Sequence, residues 1–285
     1  MYHKCQSRGL LNPIPDGVGR GRMKNQYFGD INDYRKYGLL RALTGKTGVS
    51  ATVGWMLTES DGRGDGALTG YLRQPGRWRS YDAPLFDFLC GQVAEPGQRD
   101  VARLALSGLL AGCRFFGEKL PGRSRGRGRY FDSLLSVASG TDLIFLDPDN
   151  GIEVSSVQWG QGGSSRYIYW HEMTRLWAAG HSLLVYQHFL RVYRRSFLRV
   201  LASDMASRLG SPRVYSYQTP HVAFLLAPKE AKAGVLVEAT WQLLSRWRDQ
   251  FVAFRHDARG MFVMAPGILP GFERKELVVS HEDRM

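Results

Sequence analysis

Asp147, Asp149, Asn150 and Glu153 crowd four oxygen-bearing side chains into seven positions. They follow Leu143-Ile144-Phe145-Leu146, a short unbroken apolar run that predicts a strand buried on both faces, as in the middle of a parallel sheet. Pro148 has no N–H to give a neighbouring strand and Asn150-Gly151 favours a turn, so the strand must stop near Asp147. Two carboxylates and an amide thereby lie just past the carboxyl end of a central strand, where open α/β sheets bind ligands. Asp147, Pro148, Asp149 and Asn150 are the candidate catalytic segment. A carboxylate there can accept hydrogen bonds from an amino group, or several together can hold a hard cation. A polar strand-to-loop turn would also account for a lone Asp-Pro.

Other stretches must converge on that turn if it is a site. From Asn25 to Leu43, Asn32 or Asp33 is expected to cap a helix on which Tyr34, Tyr37, Leu40 and Leu43 recur at helical spacing. Asp30, Asn32 and Lys36 stand at its start, where free N–H groups can meet a ligand. Ser50 to Leu57 predicts a strand, and Thr58 to Gly66 follows with three acids and three glycines. Its G-x-G-x-G spacing is not the G-x-G-x-x-G fingerprint, and an acidic surface turn explains it about as well. Ser182 to His188 predicts a further strand with a polar end, set to face the same crevice. Tyr169, Trp170, His171 and His188 are the candidate substrate contacts, although a strand-end histidine also serves as a structural hydrogen bonder.

The remaining pattern supplies the frame. Tyr81 to Phe116 reads as helical, broken into two helices, and Pro121 to Arg129 reads as a flexible loop carrying four arginines. Tyr130 to Ala138 returns to helix. A basic helix after His188 sets Arg191, Arg194, Arg195 and Arg199 among Phe189, Tyr193 and Phe197. Such interleaving can grip a phosphate backbone while stacking bases, or can be an amphipathic helix with its aromatics inward. Val214–Gln218 and Val222–Ala227 read as paired strands, residues 229–250 as a helix and Met261 to Ala265 as a last strand. This alternation predicts an α/β fold, Rossmann-like, with a mostly parallel sheet, flanking helices and a helical insertion at about 81–138. Residues 1–22 read as a flexible basic leader, 23–275 as a single α/β domain and 276–285 as a polar tail.

The totals narrow the class of partner. The 285 residues, 44% hydrophobic, suffice for a substantial core, and no run approaches the length of a membrane span. Three scattered cysteines argue against a disulfide frame or zinc site and fit a reducing cytoplasm. The start of the chain lacks the apolar centre of a secretory signal. A formal charge of +12 indicates an anionic partner, with nucleic acid (RNA or DNA) the commonest.

The order Gly29-Asp30-x-Asn32-Asp33-Tyr34-x-Lys36-Tyr37-Gly38-Leu39-Leu40, then a strand with an acidic glycine loop, then Leu146-Asp147-Pro148-Asp149, resembles the large-subunit rRNA adenine-N6 methyltransferases. Those begin with a Gly-Asn-His-Ala-Asp-Val-Leu-Lys-His helix and carry Asp-Pro-Pro-Tyr at the fourth strand. The resemblance covers short pieces within residues 27–150 and is carried by Lys36, Asp147 and Pro148. It implies a class I S-adenosylmethionine-dependent methyltransferase fold. Asp147 would then accept the amino hydrogens of a base, Glu59 or Asp61 would hold the cofactor's ribose, and Asp30, Asn32 and Lys36 would contact cofactor or substrate. Where the family has Asp-Pro-Pro-Tyr this chain has Asp147-Pro148-Asp149-Asn150, without the ring that stacks on a flipped base. Tyr169 or Trp170 is the candidate replacement. Two other readings stand beside it. Asp147, Asp149, Glu153 and the 59–65 acids could bind Mg²⁺ for phosphodiester cleavage, with His171, Glu172 and His188 moving protons, although Glu153 lacks the E-x-K lysine of many nucleases. A non-catalytic nucleic-acid-binding protein is the third.

Overall fold

The computed structural model describes residues 28–59, 68–94 and 100–265. The chain opens with α1 (Ile31–Thr44), β1 (Ala51–Gly54), α2 (Pro75–Trp78), α3 (Ala83–Ala94), α4 (Ala102–Leu106) and β2 (Cys113–Phe116). It continues through α5 (Ser124–Ala138), β3 (Leu143–Leu146), β4 (Gly151–Ile152), β5 (Tyr167–Ile168) and α6 (Trp170–Ala178) to β6 (Ser182–His188). Then come α7 (Arg194–Leu209), β7 (Val214–Gln218), β8 (Val222–Ala227), α8 (Glu230–Arg246), β9 (Val252–Asp257) and β10 (Gly260–Met264).

Eight strands form one sheet in the order β10-β9-β7-β8-β6-β3-β1-β2. The four from β2 to β6 are parallel, and the outer pairs β6–β8, β8–β7, β7–β9 and β9–β10 are antiparallel. The fold is therefore α/β with a mostly parallel, Rossmann-like centre, as the alternation of elements predicts. β3 is buried at every position, because helices cover both faces of a sheet built from crossover connections. Its alternating side chains feed two cores: Leu143 and Phe145 join Tyr34, Tyr37, Phe224 and Trp247 beneath α1, α3 and α8. Ile144 and Leu146 join Phe131, Met173 and Met205 beneath α5, α6 and α7. α1 is buried almost all round, so it belongs to the interior and not to an exposed amphipathic face. Its cap is Asp30, upstream of the expected Asn32 or Asp33: the Asp30 carboxylate accepts the N–H groups of both, at 2.8 and 2.9 Å.

Three expectations need correction. Helix was expected through Phe116, yet Cys113–Phe116 is the edge strand β2, so the 81–138 stretch is not a purely helical insertion. The arginine-rich segment was expected to be a loop, yet α5 takes up Ser124 to Arg129 across a kink at Arg125-Gly126, and Arg127 is fully buried. β9 was not foreseen, because Val252-Ala253-Phe254-Arg255-His256-Asp257 mixes apolar and polar side chains on one face. The leader at 1–22, the tail at 276–285 and Asp61 lie outside the described residues. Among the described residues no helix is long and apolar enough to cross a membrane.

Candidate functional site

From β1 the chain moves outward to β2, then crosses back to form β3 on the other side of β1. In open sheets of this kind ligands bind at such a reversal, beyond the carboxyl ends of the strands on either side, here β1 and β3. Asp147 stands there, its N–H donating to the Gly54 carbonyl at 3.1 Å. Lys36, from the first turns of α1, donates to Asp147 Oδ2 at 2.7 Å and to Asp33 Oδ1 at 2.8 Å. Asp33 is fixed in turn by the Gly29 N–H, which reaches its Oδ2 at 3.0 Å. The ammonium also lies 5.4 Å from the Tyr37 ring and 5.2 Å from the Tyr186 ring. Asp147 Oδ1 carries no hydrogen bond among the described residues, and the Asp147 side chain retains 14% of its exposure.

Two carboxylates share a single ammonium, with Asp30 nearby at the helix start, and that ratio sets the electrostatics. Burial raises the Asp147 pKa to about 6, with Lys36 opposing and the negative charge of Asp33 adding. Burial, reinforced by Asp33, raises Asp30 to about 7. Burial alone would depress Lys36, but Asp147 and Asp33 hold it well above its ordinary value. The close Lys36–Asp147 contact and the raised Asp147 pKa pull in opposite directions. Burial together with the negative charges of Asp33 and Asp149 explains why one lysine does not return Asp147 to an ordinary carboxylate. His188 reaches the surface at the end of β6, with Nε2 3.3 Å from the Tyr186 hydroxyl. Burial and then Lys36 hold its pKa below the ordinary histidine value.

The chain after Asp147 is pinned by its backbone. Pro148 is buried, and Asp149 accepts the Thr58 hydroxyl at 2.8 Å, tying the turn to the segment after β1. Asn150 donates its N–H to Arg166, and its carbonyl accepts the His188 N–H at 3.1 Å. The Gln187 carboxamide oxygen accepts the Ile152 N–H at 2.8 Å. Glu153 points elsewhere, to the Trp170 N–H at 3.4 Å. The acids thus face different partners, and among the described residues no three His, Cys, Asp or Glu side chains are grouped to hold a metal ion. Asp61 and Asp65, the other acids of the Mg²⁺ reading, lie outside the described residues.

Lys36 meets Asp147 at the carboxyl end of β3, Asp149 and His188 stand at the ends of neighbouring strands, and Asp30 and Asn32 lie at the start of α1. Glu59 is exposed beyond β1, 3.8 Å from Lys119. Tyr169, Trp170 and His171 belong to the opposite layer, at the start of α6. Tyr169 is buried, gives its hydroxyl proton to the Val157 carbonyl and carries the Arg127 guanidinium over its ring. Trp170 packs in the core under Arg208, and exposed His171 rests on Trp159. Both rings considered for base stacking are therefore engaged internally. Sequence reasoning passed over Asp33 as a site residue, and with it Tyr186 and Thr58. The Asp33-x-x-Lys36 spacing, one helical turn, was the available signal for the first. No protein-family model matches this chain, and no curated protein matches it.

Proposed function

We propose that the protein is a methyltransferase of the class I type, using S-adenosylmethionine to methylate an amino group on a nucleic-acid base. The observation that carries this reading is Asp147 itself: a carboxylate at the reversal of strand order, with one oxygen held by Lys36 and the other unengaged. The cofactor would supply an activated methyl group. The residues at the crevice suit it in kind. Among the described residues Asn32 Oδ1 is a buried acceptor without a partner, and Glu59, exposed after β1, is the acid we assign to the cofactor's hydroxyl groups. Lys36 fixes the Asp147 carboxylate and favours its charged form. Asp147 Oδ1 accepts an amino hydrogen, aligning the nitrogen lone pair toward the crevice. Alignment does most of the work in such a displacement. With its ionisation near neutrality, Asp147 can also receive the proton that leaves the alkylated amine.

The divergence of Asp147, Asp149 and Glu153 favours this reading over metal-dependent cleavage. Calorimetric titration with S-adenosylmethionine, followed by transfer of labelled methyl groups to RNA and DNA, tests it. Binding is expected, with Asp147→Asn retaining binding and losing transfer by at least about 100-fold. Absence of binding, or full transfer by Asp147→Asn, overturns it.

A further inference from the structure

Arg35 precedes Lys36 on α1 and is only 4% exposed. Its Nε and Nη2 donate to the neutral carboxamide oxygen of Gln250, at 3.2 and 2.8 Å, the guanidinium lies 5.8 Å from the Trp78 ring, and among the described residues Nη1 has no hydrogen-bond partner. A buried guanidinium satisfied only by an amide is an unusual choice, since a buried charge ordinarily takes a carboxylate. Burial brings its pKa down to about 10. His221, exposed in the turn between β7 and β8, stands beside the end of β6, because His188 pairs with Val222. Arg35 stands near the same turn, because its partner Gln250 lies two residues before Val252, which pairs with Gln218 at the end of β7; burial, then Arg35 and Arg194, lowers the His221 pKa.

The segment between β6 and α7 extends the same edge. Leu190, Val192 and Tyr193 are 47%, 55% and 65% exposed, and Arg191, Arg194 and Arg195 are exposed among them. Arg194 lies 4.7 Å over the Phe189 ring. Tyr193 gives α7 no side-chain cap, and arginines occupy a first turn that favours acids. An anion lying across that turn would relieve the repulsion.

We propose that this edge, from His221 to Tyr193 and Arg194, docks single-stranded nucleic acid. Arg194 receives a backbone phosphate and Tyr193 stacks a base, while buried Arg35 adds positive charge beneath the turn. The delivery of an unpaired base to Asp147 rests on the methyl-transfer reading; the docking itself does not. Single strands fit because the exposed ring and apolar side chains need base faces, which a duplex keeps stacked. Tyr193 also supplies an aromatic surface that the Asp147-Pro148-Asp149-Asn150 turn lacks.

The test is fluorescence anisotropy with a short labelled oligonucleotide, single-stranded or annealed to its complement, in the absence of S-adenosylmethionine. Vesicles of neutral and acidic phospholipid form a separate arm. The full chain is compared with Tyr193→Ala, Arg194→Gln and Arg35→Lys. The single strand is expected to bind more tightly than the duplex, with each of the two surface substitutions weakening it about tenfold. Arg194→Gln should also flatten the salt dependence. Arg35→Lys keeps the buried charge and serves as the control, with strand binding expected to match that of the full chain. Equal binding by all variants, preference for duplex, or binding confined to acidic vesicles overturns the proposal. Strand binding that depends on these residues without any affinity for S-adenosylmethionine leaves the docking surface standing and removes the methyl-transfer reading. The converse result removes the docking surface alone.

Discussion

Lys36 Nζ and Asp147 Oδ2 lie 2.7 Å apart although 111 positions separate them in the chain. The contact joins the first helix to the central strand end, and Asp33 shares the same ammonium. Both carboxylates therefore depend on one cation in a nearly closed site.

Replacing Lys36 by Met should cost about 3–5 kcal/mol at pH 8, because two buried acids lose their counter-charge. The pH dependence has a definite sign. Asp147 has a folded pKa of about 6 against an ordinary 3.8, so the folded protein holds that proton more tightly than the unfolded chain. Its charge opposes folding above pH 6, and the penalty fades as pH falls from about 6 toward 4. Losing Lys36 raises that pKa further, so urea unfolding of Lys36→Met should recover part of its deficit against the wild type as pH falls from 8 toward 6. A deficit independent of pH would mean that Asp147 is not the group left uncompensated.

The same ionisation bears on catalysis. If the Asp147 carboxylate accepts the amino hydrogen, methyl transfer should rise with pH through about 6 and then level off. Residual activity in Asp147→Asn should lack that limb. A wild-type profile flat from pH 5 to 8 would assign the hydrogen-bond acceptor elsewhere.

The legible parts of the chain were those where local sequence and burial agree. Leu143 to Leu146 is apolar throughout because both faces are covered, and Pro148 ends it, so the position of Asp147 could be read directly. The strand ending at His188 followed for the same reason. Cys113–Phe116 was not legible, because it is short, lies at the sheet edge and leaves Arg114 exposed. Arg127 was not legible either: nothing local distinguishes it from its solvated neighbours, and its partner lies 45 positions away. Tyr169 and Trp170 resembled site aromatics, but which sheet face their helix covers is decided only by tertiary packing.

Arg127 is the strongest test of that last kind of information. Its Nε and Nη2 each lie 2.7 Å from a Glu172 oxygen, and further bonds reach the Ser164 and Tyr167 carbonyls. Glu172 also takes the Trp159 indole N–H and the Tyr169 N–H, both at 3.0 Å. Arg127→Met leaves that carboxylate buried without its cation and should cost about 3–5 kcal/mol in denaturant unfolding. Arg127→Lys should recover only part, since an ammonium cannot match the two-pronged geometry. Adding Glu172→Gln to Arg127→Met should return some stability by removing the stranded charge. If the double variant is worse than Arg127→Met by the full cost of a second independent lesion, the two side chains do not act as a pair.

Gly151 offers a test of how the turn after Asp147 is held. Its φ of +119° suits glycine, and a Cβ there would overlap the Gln187 carboxamide. That carboxamide holds the Ile152 N–H, and its nitrogen reaches the Asn150 and His188 carbonyls. Gly151→Ala must therefore strain the backbone and push Gln187 away, at a cost of about 1–3 kcal/mol. Gly234, inside α8 with nothing within 4 Å of its added Cβ, is the control. Gly234→Ala should stabilise by about 1 kcal/mol through helix propensity alone. Thermal melts of both, alongside Gln187→Ala, separate the causes. A loss in Gly151→Ala no larger when Gln187 is present than when it is already Ala would place the damage in the backbone and not in the displaced carboxamide.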